Sequence, residues 1–178
     1  MIFDGNVFGS PGFCLRATPI ILLATACSPV EATQEAPPST VQQTQTATHP
    51  ISGLEIAEVT VVSGDKRIEF KTEFAMTRRD QARGLMFREM LADDEAMIFP
   101  NDPPAPRSFW MKNTPISLDI IFIGVDRRIN NIETAVPYSL ESVPSDGEVI
   151  AVFEIRGGLA AELGIQPGDR VMWDLPGA

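Results

Sequence analysis

The stretch from residue 108 to 122 contains five side chains of types that could bind a small molecule: Trp110, Lys112, Asn113, Thr114 and Asp119. A lysine can pair with a carboxylate or phosphate, amide and hydroxyl groups can orient a ligand, and an indole ring can stack on a sugar or a peptide. Pro115 biases the residue before it away from helical backbone geometry. We therefore expect a polar corner between two strands, with these side chains close together.

Two arginines could add positive charge to this corner. Arg83 and Arg88 flank the segment Gly84-Leu85-Met86-Phe87. Because residues five apart do not share one tight helical face, both reach the corner only if Gly84 ends or loosens the turn between them. We therefore predict a local anion site formed by Arg83, Arg88 and Lys112. The alternative for Lys112 is a solvated turn lysine paired with a carboxylate, since exposed ion pairs are common and weak.

The remaining candidate residues also have ordinary structural explanations. Large aromatic residues in strands are often buried, so Phe109 is expected in the core, and Trp110 could lie in the core or at a site. Asn113 and Thr114 could satisfy the backbone groups of the corner itself, as such residues often do.

Asp119 and Glu154 are acidic residues within expected strands, and each could have either a structural or a functional role. Asp119 alternates with Leu118 and Ile120, which places its carboxylate on the opposite face of the strand. If that face is covered, the carboxylate needs a cation, for which Arg83, Arg88 and Lys112 are the candidates. Glu154 lies in a second apolar strand and also needs a partner if it is buried.

The composition excludes several classes of function. The net charge is −10 and no basic patch is interleaved with aromatic residues, so nucleic-acid binding is not expected. From residue 54 onward there is neither His nor Cys, which excludes Ser-His-Asp and Cys-His catalysis and thiolate zinc sites there. The acidic run Asp93-Asp94-Glu95 lacks the ligand spacing of a calcium loop. We expect neither a metal nor a cofactor.

The N-terminal segment predicts export. In residues 1–27, Arg16 precedes a short apolar run and the small residues before Cys27, as in a secretory signal peptide. The sequence Ala24-Thr25-Ala26-Cys27 resembles a bacterial lipobox, in which Cys27 would be lipidated and anchor the protein to a membrane. The alternative is an ordinary cleaved signal with an incidental cysteine. Either way, the expected location is the periplasm, free or membrane-anchored.

Residues 28–53 are rich in Thr, Gln, Pro, Ser and Ala and show no apolar periodicity. Such a composition cannot bury enough surface to offset its ordering entropy, so we predict a disordered tether. His49, the only histidine, is expected to be a solvated linker residue.

Residues 54–178 are expected to form a single β-rich domain. Apolar and polar residues alternate in short runs that are separated by turn signals; strands are expected at 54–62, 67–74, 95–99, 116–122, 128–135, 148–155 and 170–174. Two short helices are expected at 78–86 and 157–163, the first with Thr77 as its N-cap. Four prolines make residues 100–107 a rigid loop. The pattern predicts a mainly β fold, an antiparallel sandwich or barrel.

Four sequence blocks resemble a known family: Arg83-Gly84-Leu85-Met86-Phe87-Arg88, Phe109-Trp110-Met111-Lys112-Asn113-Thr114, Leu118-Asp119-Ile120-Ile121-Phe122 and the closing Gly164…Pro167-Gly168-Asp169. In order and spacing they are similar to the bacterial and archaeal domain of unknown function number 192, over about residues 54–176. The resemblance implies a small β-sandwich of jelly-roll type that is often exported or lipid-anchored. It supplies no activity, substrate or catalytic residue.

Three functions are compatible with these patterns. The first is a cell-envelope module that binds an anionic or carbohydrate ligand, using Arg83, Arg88, Trp110, Lys112, Asn113, Thr114, Asp119 and Glu154. The second is a hydrolase of envelope glycans with Asp119 and Glu154 as its two carboxylates. The third is a protein-interaction module that docks a partner on Trp110 and the proline-rich loop. We favour the first as the hypothesis that the residue types support best.

Overall fold

The computed structural model describes residues 47–176; the expected signal peptide, Cys27 and residues 28–46 of the expected tether lie outside them. The described part is mainly β. Its nine strands and two helices are β1 (Ile56–Ser63), β2 (Lys66–Phe74), α1 (Arg78–Arg83), β3 (Glu95–Ala105), β4 (Ser108–Phe109), β5 (Leu118–Gly124), β6 (Ile129–Ala135), β7 (Val143–Pro144), β8 (Val149–Arg156), α2 (Leu159–Leu163) and β9 (Arg170–Trp173).

Seven of these strands form one sheet in the order β6-β5-β8-β3-β2-β1-β9, and β4 and β7 form a separate two-stranded ribbon. The prediction of antiparallel pairing throughout is wrong for one pair, because β2 and β3 run parallel. A parallel pair needs a long crossover connection, and residues 75–94, which include α1, supply it. The sheet is not closed on itself, so the barrel or jelly-roll arrangement stays a prediction.

The alternation of side chains along the central strands gives the sheet two covered faces. On one face, which we call the α2 face, Ile121, Phe153 and Ile155 belong to a core that includes Leu159 of α2. On the other, the cleft face, Ile120 and Val152 belong to a second core. All seven residues of β5 are buried, because both of its faces are covered.

The expected helices are present but short. The Thr77 hydroxyl accepts a hydrogen bond from the Asp80 backbone N–H at 3.1 Å, which confirms the predicted N-cap of α1. The helix ends at Arg83, three residues before the expected end, because Gly84 adopts a φ of 47°. No residue of α1 is buried, so this helix lies over the cleft face without a deep apolar anchor.

Strand β3 continues through the segment that was expected to be a rigid loop. Pro100 and Ala105 both pair with β8, and the register shifts between them. Proline cannot donate to the ladder, but the Asn101 side chain donates to the carbonyl oxygens of Ala105 (3.1 Å) and Val149 (2.8 Å) across the irregularity. The β3 backbone therefore bends without leaving the sheet.

The segment before β1 packs on the domain, contrary to the expectation for His49. Thr48 forms an antiparallel bridge with Glu55, and His49 is only 9% exposed. The prediction of a solvated linker at His49 is wrong, because a buried ion pair provides polar partners for its ring, as described below.

Candidate functional site

A cleft of about 790 Å³ opens on the cleft face of the sheet. Its walls are α1 with the turn that follows, the irregular part of β3, and the chain from Arg107 to Met111, while Leu118 and Glu154 contribute from the central strands. This volume lies within the range of sites for small molecules. The fold therefore offers one defined space in which polar side chains from distant parts of the sequence meet.

Three arginines line this cleft, two from α1 (Arg78 and Arg83) and one that immediately precedes β4 (Arg107). Within residues 47–176 none of the three forms a salt bridge with a carboxylate. Gln81 connects the walls that carry them. Its amide nitrogen donates to the Pro100 carbonyl at 2.8 Å, and its amide oxygen accepts from Arg107 at 3.2 Å. The cleft lining thus has three arginines without a salt bridge, and its acidic residues are the exposed Asp102 and the buried Glu154.

Glu154 is the acidic group at the sheet end of the cleft. It pairs in register with Met97 of β3 and Ile120 of β5, so its nearest cross-strand neighbours are apolar. The residue is 5% exposed and, among residues 47–176, no group hydrogen-bonds its carboxyl. Since no fully buried side-chain oxygen in this range lacks a partner, the Glu154 oxygens must reach the cleft space.

Burial raises the pKa of Glu154 to about 8. The cause is loss of hydration, which penalises the charged form, and no neighbouring cation offsets it. At pH 7 the folded protein therefore holds Glu154 mainly as a neutral carboxyl, which can both donate and accept a hydrogen bond.

Trp110 and Thr114 also line the cleft. The Trp110 side chain is 52% exposed, so of the two roles considered for it the core role does not apply. Phe109, in contrast, packs edge-on against Phe99 (5.1 Å between ring centroids) and Phe122 (6.3 Å), as expected for a core residue. The buried Thr114 hydroxyl faces the Lys112 carbonyl at 3.4 Å.

Lys112 and Asn113 are exposed and do not line the cleft. The Lys112 Nζ lies 5.2 Å from the centroid of the Trp110 ring, which is a cation–π arrangement. Asn113 adopts a φ of 57°, and its carbonyl accepts a hydrogen bond from the Phe87 N–H at 2.7 Å. The corner exists, but its lysine lies over the Trp110 ring, and the arginines that line the cleft come from α1 and from the residue before β4.

The structure does not place Arg88 in the expected anion site. Its side chain is buried and pairs with the buried Glu73, with one guanidinium nitrogen 2.8 Å and 3.1 Å from the two carboxylate oxygens. Ser52 also donates to Glu73, and the His49 ring lies beside the pair, 3.4 Å from Arg88 and 3.6 Å from Glu73. Arg88 therefore neutralises a core carboxylate instead of contributing to the cleft.

Asp119 has a structural environment as well, and its expected cation is absent. Its carboxylate accepts hydrogen bonds from the Thr134 hydroxyl (2.7 Å) and from the backbone N–H groups of Gly158 (2.9 Å) and Ala160 (2.8 Å). These backbone groups belong to the start of α2, so the charge is satisfied by donors in place of Arg83, Arg88 or Lys112.

Asp119 and Glu154 project from opposite faces of the sheet. Glu154 pairs with Ile120, the residue next to Asp119, and successive side chains in a strand alternate between faces. The two carboxylates expected for a hydrolase are therefore not brought together in one cleft.

Of the eight predicted ligand-binding residues, the cleft contains Arg83, Trp110, Thr114 and Glu154, while Arg88, Lys112, Asn113 and Asp119 lie outside it. The cleft also contains Arg78, Gln81 and Arg107, which were not among the predicted residues. A signal for Arg107 existed, because it ends the proline-rich segment that was expected to form a rigid loop. Arg78 opens a helix with an all-exposed pattern, and only the packing of that helix brings it to the cleft.

Within residues 47–176, no three His, Cys, Asp or Glu side chains are grouped as a metal site requires. Neither of the two helices described is long and apolar enough to cross a membrane.

Comparisons with known proteins agree with the expected family resemblance. The sequence model of the family DUF192, described as "Uncharacterized ACR", matches residues 59–173. A crystal structure of a protein of unknown function from Novosphingobium aromaticivorans DSM 12444 is 54% identical, with 72% of this chain and 92% of that chain covered and a TM-score of 0.70. A protein from Sinorhizobium meliloti 1021, described as a proposed transcription regulator, is 33% identical, with coverage of 67% and 94% and a TM-score of 0.65. Among curated proteins, none matches this chain.

Proposed function

This chain belongs to the DUF192 family, and we propose that it is a binding domain that holds a small anionic ligand in the cleft. The observation that carries this proposal is the set of three arginines, Arg78, Arg83 and Arg107, that line the cleft without a carboxylate partner among residues 47–176. Guanidinium groups bind carboxylates and phosphates in a bidentate manner. In a protein with a net charge of −10, such a local concentration of cations favours a specific anion over general electrostatic attraction.

The walls of the cleft suit the body of an organic ligand. Leu85, Phe99 and Met111 provide buried apolar surface, and Trp110 presents a partly exposed ring at the same space. Small-molecule sites combine such apolar lining with a few directed polar groups. An aromatic ring at the edge also favours a flat or sugar-like body, because these stack on indole.

The proposed location is the cell envelope, with the domain exported and joined to a membrane through a lipid on Cys27 or released after cleavage of the signal. The support is the sequence of residues 1–27, with its apolar run, small residues and cysteine. A domain so placed would meet ligands of the periplasm.

A protein partner is the second candidate, and one surface favours it. Val136, Tyr138 and Leu140 are each at least 63% exposed, and they follow one another in the segment between β6 and β7. Exposed apolar side chains in one segment can form a docking surface. The transcription-regulator role proposed for the relative from Sinorhizobium meliloti receives no support from the charge of this chain, because an acidic surface repels the phosphate backbone of DNA.

The proposed function is tested by titrating the purified protein with a panel of carboxylates, phosphates, sugar acids and neutral sugars, monitored by isothermal calorimetry and thermal shift. A ligand at about a hundred times its Kd should stabilise the protein by about 2.7 kcal/mol. Arg83→Gln should weaken binding of the anion at least tenfold. Arg79→Gln is the matched control, because Arg79 lies in the same helix and does not line the cleft.

Two results would contradict the proposal. One is a panel in which no anion shifts the melting temperature of the wild-type protein. The other is an anion whose affinity falls equally in Arg83→Gln and Arg79→Gln, which would indicate general electrostatic attraction to α1 in place of a site in the cleft.

A further inference from the structure

The three buried carboxyl groups of the central sheet differ in their partners. Glu73 pairs with Arg88 and accepts from Ser52, and Asp119 accepts three hydrogen bonds. Glu154 is also buried, at 5% exposure, yet has no hydrogen-bond or salt-bridge partner among residues 47–176. Burying a polar group without a hydrogen bond destabilises a fold. A buried carboxyl that lacks a hydrogen-bond partner and faces a cleft can form its hydrogen bonds with a bound molecule.

The chemistry of the cleft limits what that molecule presents to Glu154. The charged side chains that line the cleft with Glu154 are Arg78, Arg83, Arg107 and Asp102, and the cross-strand neighbours of Glu154, Met97 and Ile120, are uncharged. Three cations against one exposed aspartate disfavour a cationic ligand. The apolar surroundings of Glu154 keep it protonated at neutral pH.

A neutral carboxyl has one O–H donor and a carbonyl acceptor, and a hydroxyl group matches both. A ligand carboxylate would match only the donor, and it is better placed at the arginines, which offer several donors and a full charge. The arginines of the cleft therefore favour an anionic group on the ligand, and Glu154 favours a hydroxyl group on the same molecule.

We infer that Glu154 binds a hydroxyl group of the ligand, so that the cleft selects hydroxylated acids, such as sugar acids, over acids without hydroxyl groups. This inference rests on the proposed function, because it takes the anionic group of the ligand to be held by the arginines. Glu154 is then the residue that determines specificity, and the arginines provide the affinity for the anion.

The test compares three probes by isothermal calorimetry at pH 6.5: D-glucuronate, which carries an anion and hydroxyl groups; cyclohexanecarboxylate, which carries the anion on a ring of similar size; and D-glucose, which carries hydroxyl groups alone. Wild-type protein should bind D-glucuronate at least tenfold more tightly than either of the others. Glu154→Leu should lose this preference while it still binds cyclohexanecarboxylate. Glu154→Gln, whose amide also donates and accepts, should keep the preference.

The pH dependence adds a readout that a purely structural role would not change. Above about pH 8 the affinity of the wild-type protein for both acids should decline, because Glu154 ionises beside an anionic ligand. In Glu154→Gln the affinity for both acids should not show this decline from pH 6.5 to 9.

The outcomes separate this inference from the proposed function. If wild-type protein binds both acids with equal affinity, or if the preference persists in Glu154→Leu, the role of Glu154 is wrong and anion binding by the cleft stands. If wild-type protein binds neither acid, both the inference and the proposed function for this ligand class are overturned.

Discussion

Asp119 and Glu154 are buried carboxyl groups in neighbouring strands of one sheet, and their environments are opposite. On the α2 face, Asp119 accepts three hydrogen bonds at 2.7–2.9 Å and organises the start of α2. On the cleft face, Glu154 has apolar neighbours and open cleft space. The comparison teaches that burial of an acid does not by itself indicate a functional group. What distinguishes the two is whether the fold supplies donors to the carboxyl oxygens.

The two faces of the sheet therefore have different roles. On the α2 face, backbone N–H groups at the start of α2 hydrogen-bond the Asp119 carboxylate, so this acid has a structural role. On the cleft face, Leu85, Leu91 and Met111 pack on the sheet, α1 has no buried residue, and a space of about 790 Å³ remains. A ligand site therefore lies where the sheet is covered least tightly.

The largest difference between Asp119 and Glu154 should appear in protein stability when each acid is replaced by its amide. Asp119→Asn should destabilise the protein by about 3 kcal/mol, because an amide NH₂ then faces a backbone donor or the Thr134 hydroxyl. Glu154→Gln should raise stability at pH 7, because the wild-type carboxyl must take up a proton on folding that the unfolded chain does not hold, and the amide need not. Urea unfolding of both variants beside wild type measures this. Equal losses would show that both carboxyls are structural.

The pH dependence of stability should also show that Glu154 is a buried carboxyl without partners. Glu154 has a folded pKa of about 8 and an ordinary value of 4.5, so the folded state holds its proton more tightly than the unfolded chain. Its contribution is full below about pH 4.5 and is lost as pH rises towards 8. Relative to Glu154→Gln, wild-type protein should therefore lose about 2 kcal/mol of stability between pH 6 and pH 8. The measurement is the free energy of unfolding of both proteins at each pH. Parallel curves would contradict the burial of an ionisable Glu154.

Lys112→Ala should have the smallest effect. The side chain is exposed and its ammonium group lies 5.2 Å from the centroid of the Trp110 ring, so its loss should cost about 0.5 kcal/mol or less of stability. Affinity for an anion in the cleft should change less than twofold, against at least tenfold for Arg83→Gln. Thermal unfolding and calorimetric titration of the two variants check this. If Lys112→Ala weakens the anion as strongly as Arg83→Gln does, the site is the corner and not the cleft.

Much of the local structure could be predicted from the sequence. The positions of strands β2 and β5, the Thr77 cap and the Gly164 end of α2 depend on residues close to one another in the chain. The DUF192 resemblance, resting on its sequence blocks, was confirmed over residues 59–173. The parallel β2–β3 pair was missed because both antiparallel and parallel strands can show the same alternation.

The partners of charged residues were predicted much less well. Arg88 was expected beside Lys112, but it pairs with Glu73, which was not considered as a partner. Asp119 was expected to need a cation, and backbone donors satisfy it instead. Each of these contacts joins residues between 15 and 41 positions apart, and no local pattern specifies such a distance.

Three properties follow from the amino-acid sequence alone: the domain is mainly β, it belongs to the DUF192 family, and any chemistry from residue 54 onward must proceed without His or Cys. These are properties of residue types and of short-range periodicity. Only the tertiary structure decided which cations and acids share a space. The reason is physical: α1 lies over the sheet by crossing between two parallel strands, and that crossing brings Arg78 and Arg83 to the same cleft as Arg107 and Glu154. The site depends on the path of the chain, which a local sequence pattern does not contain.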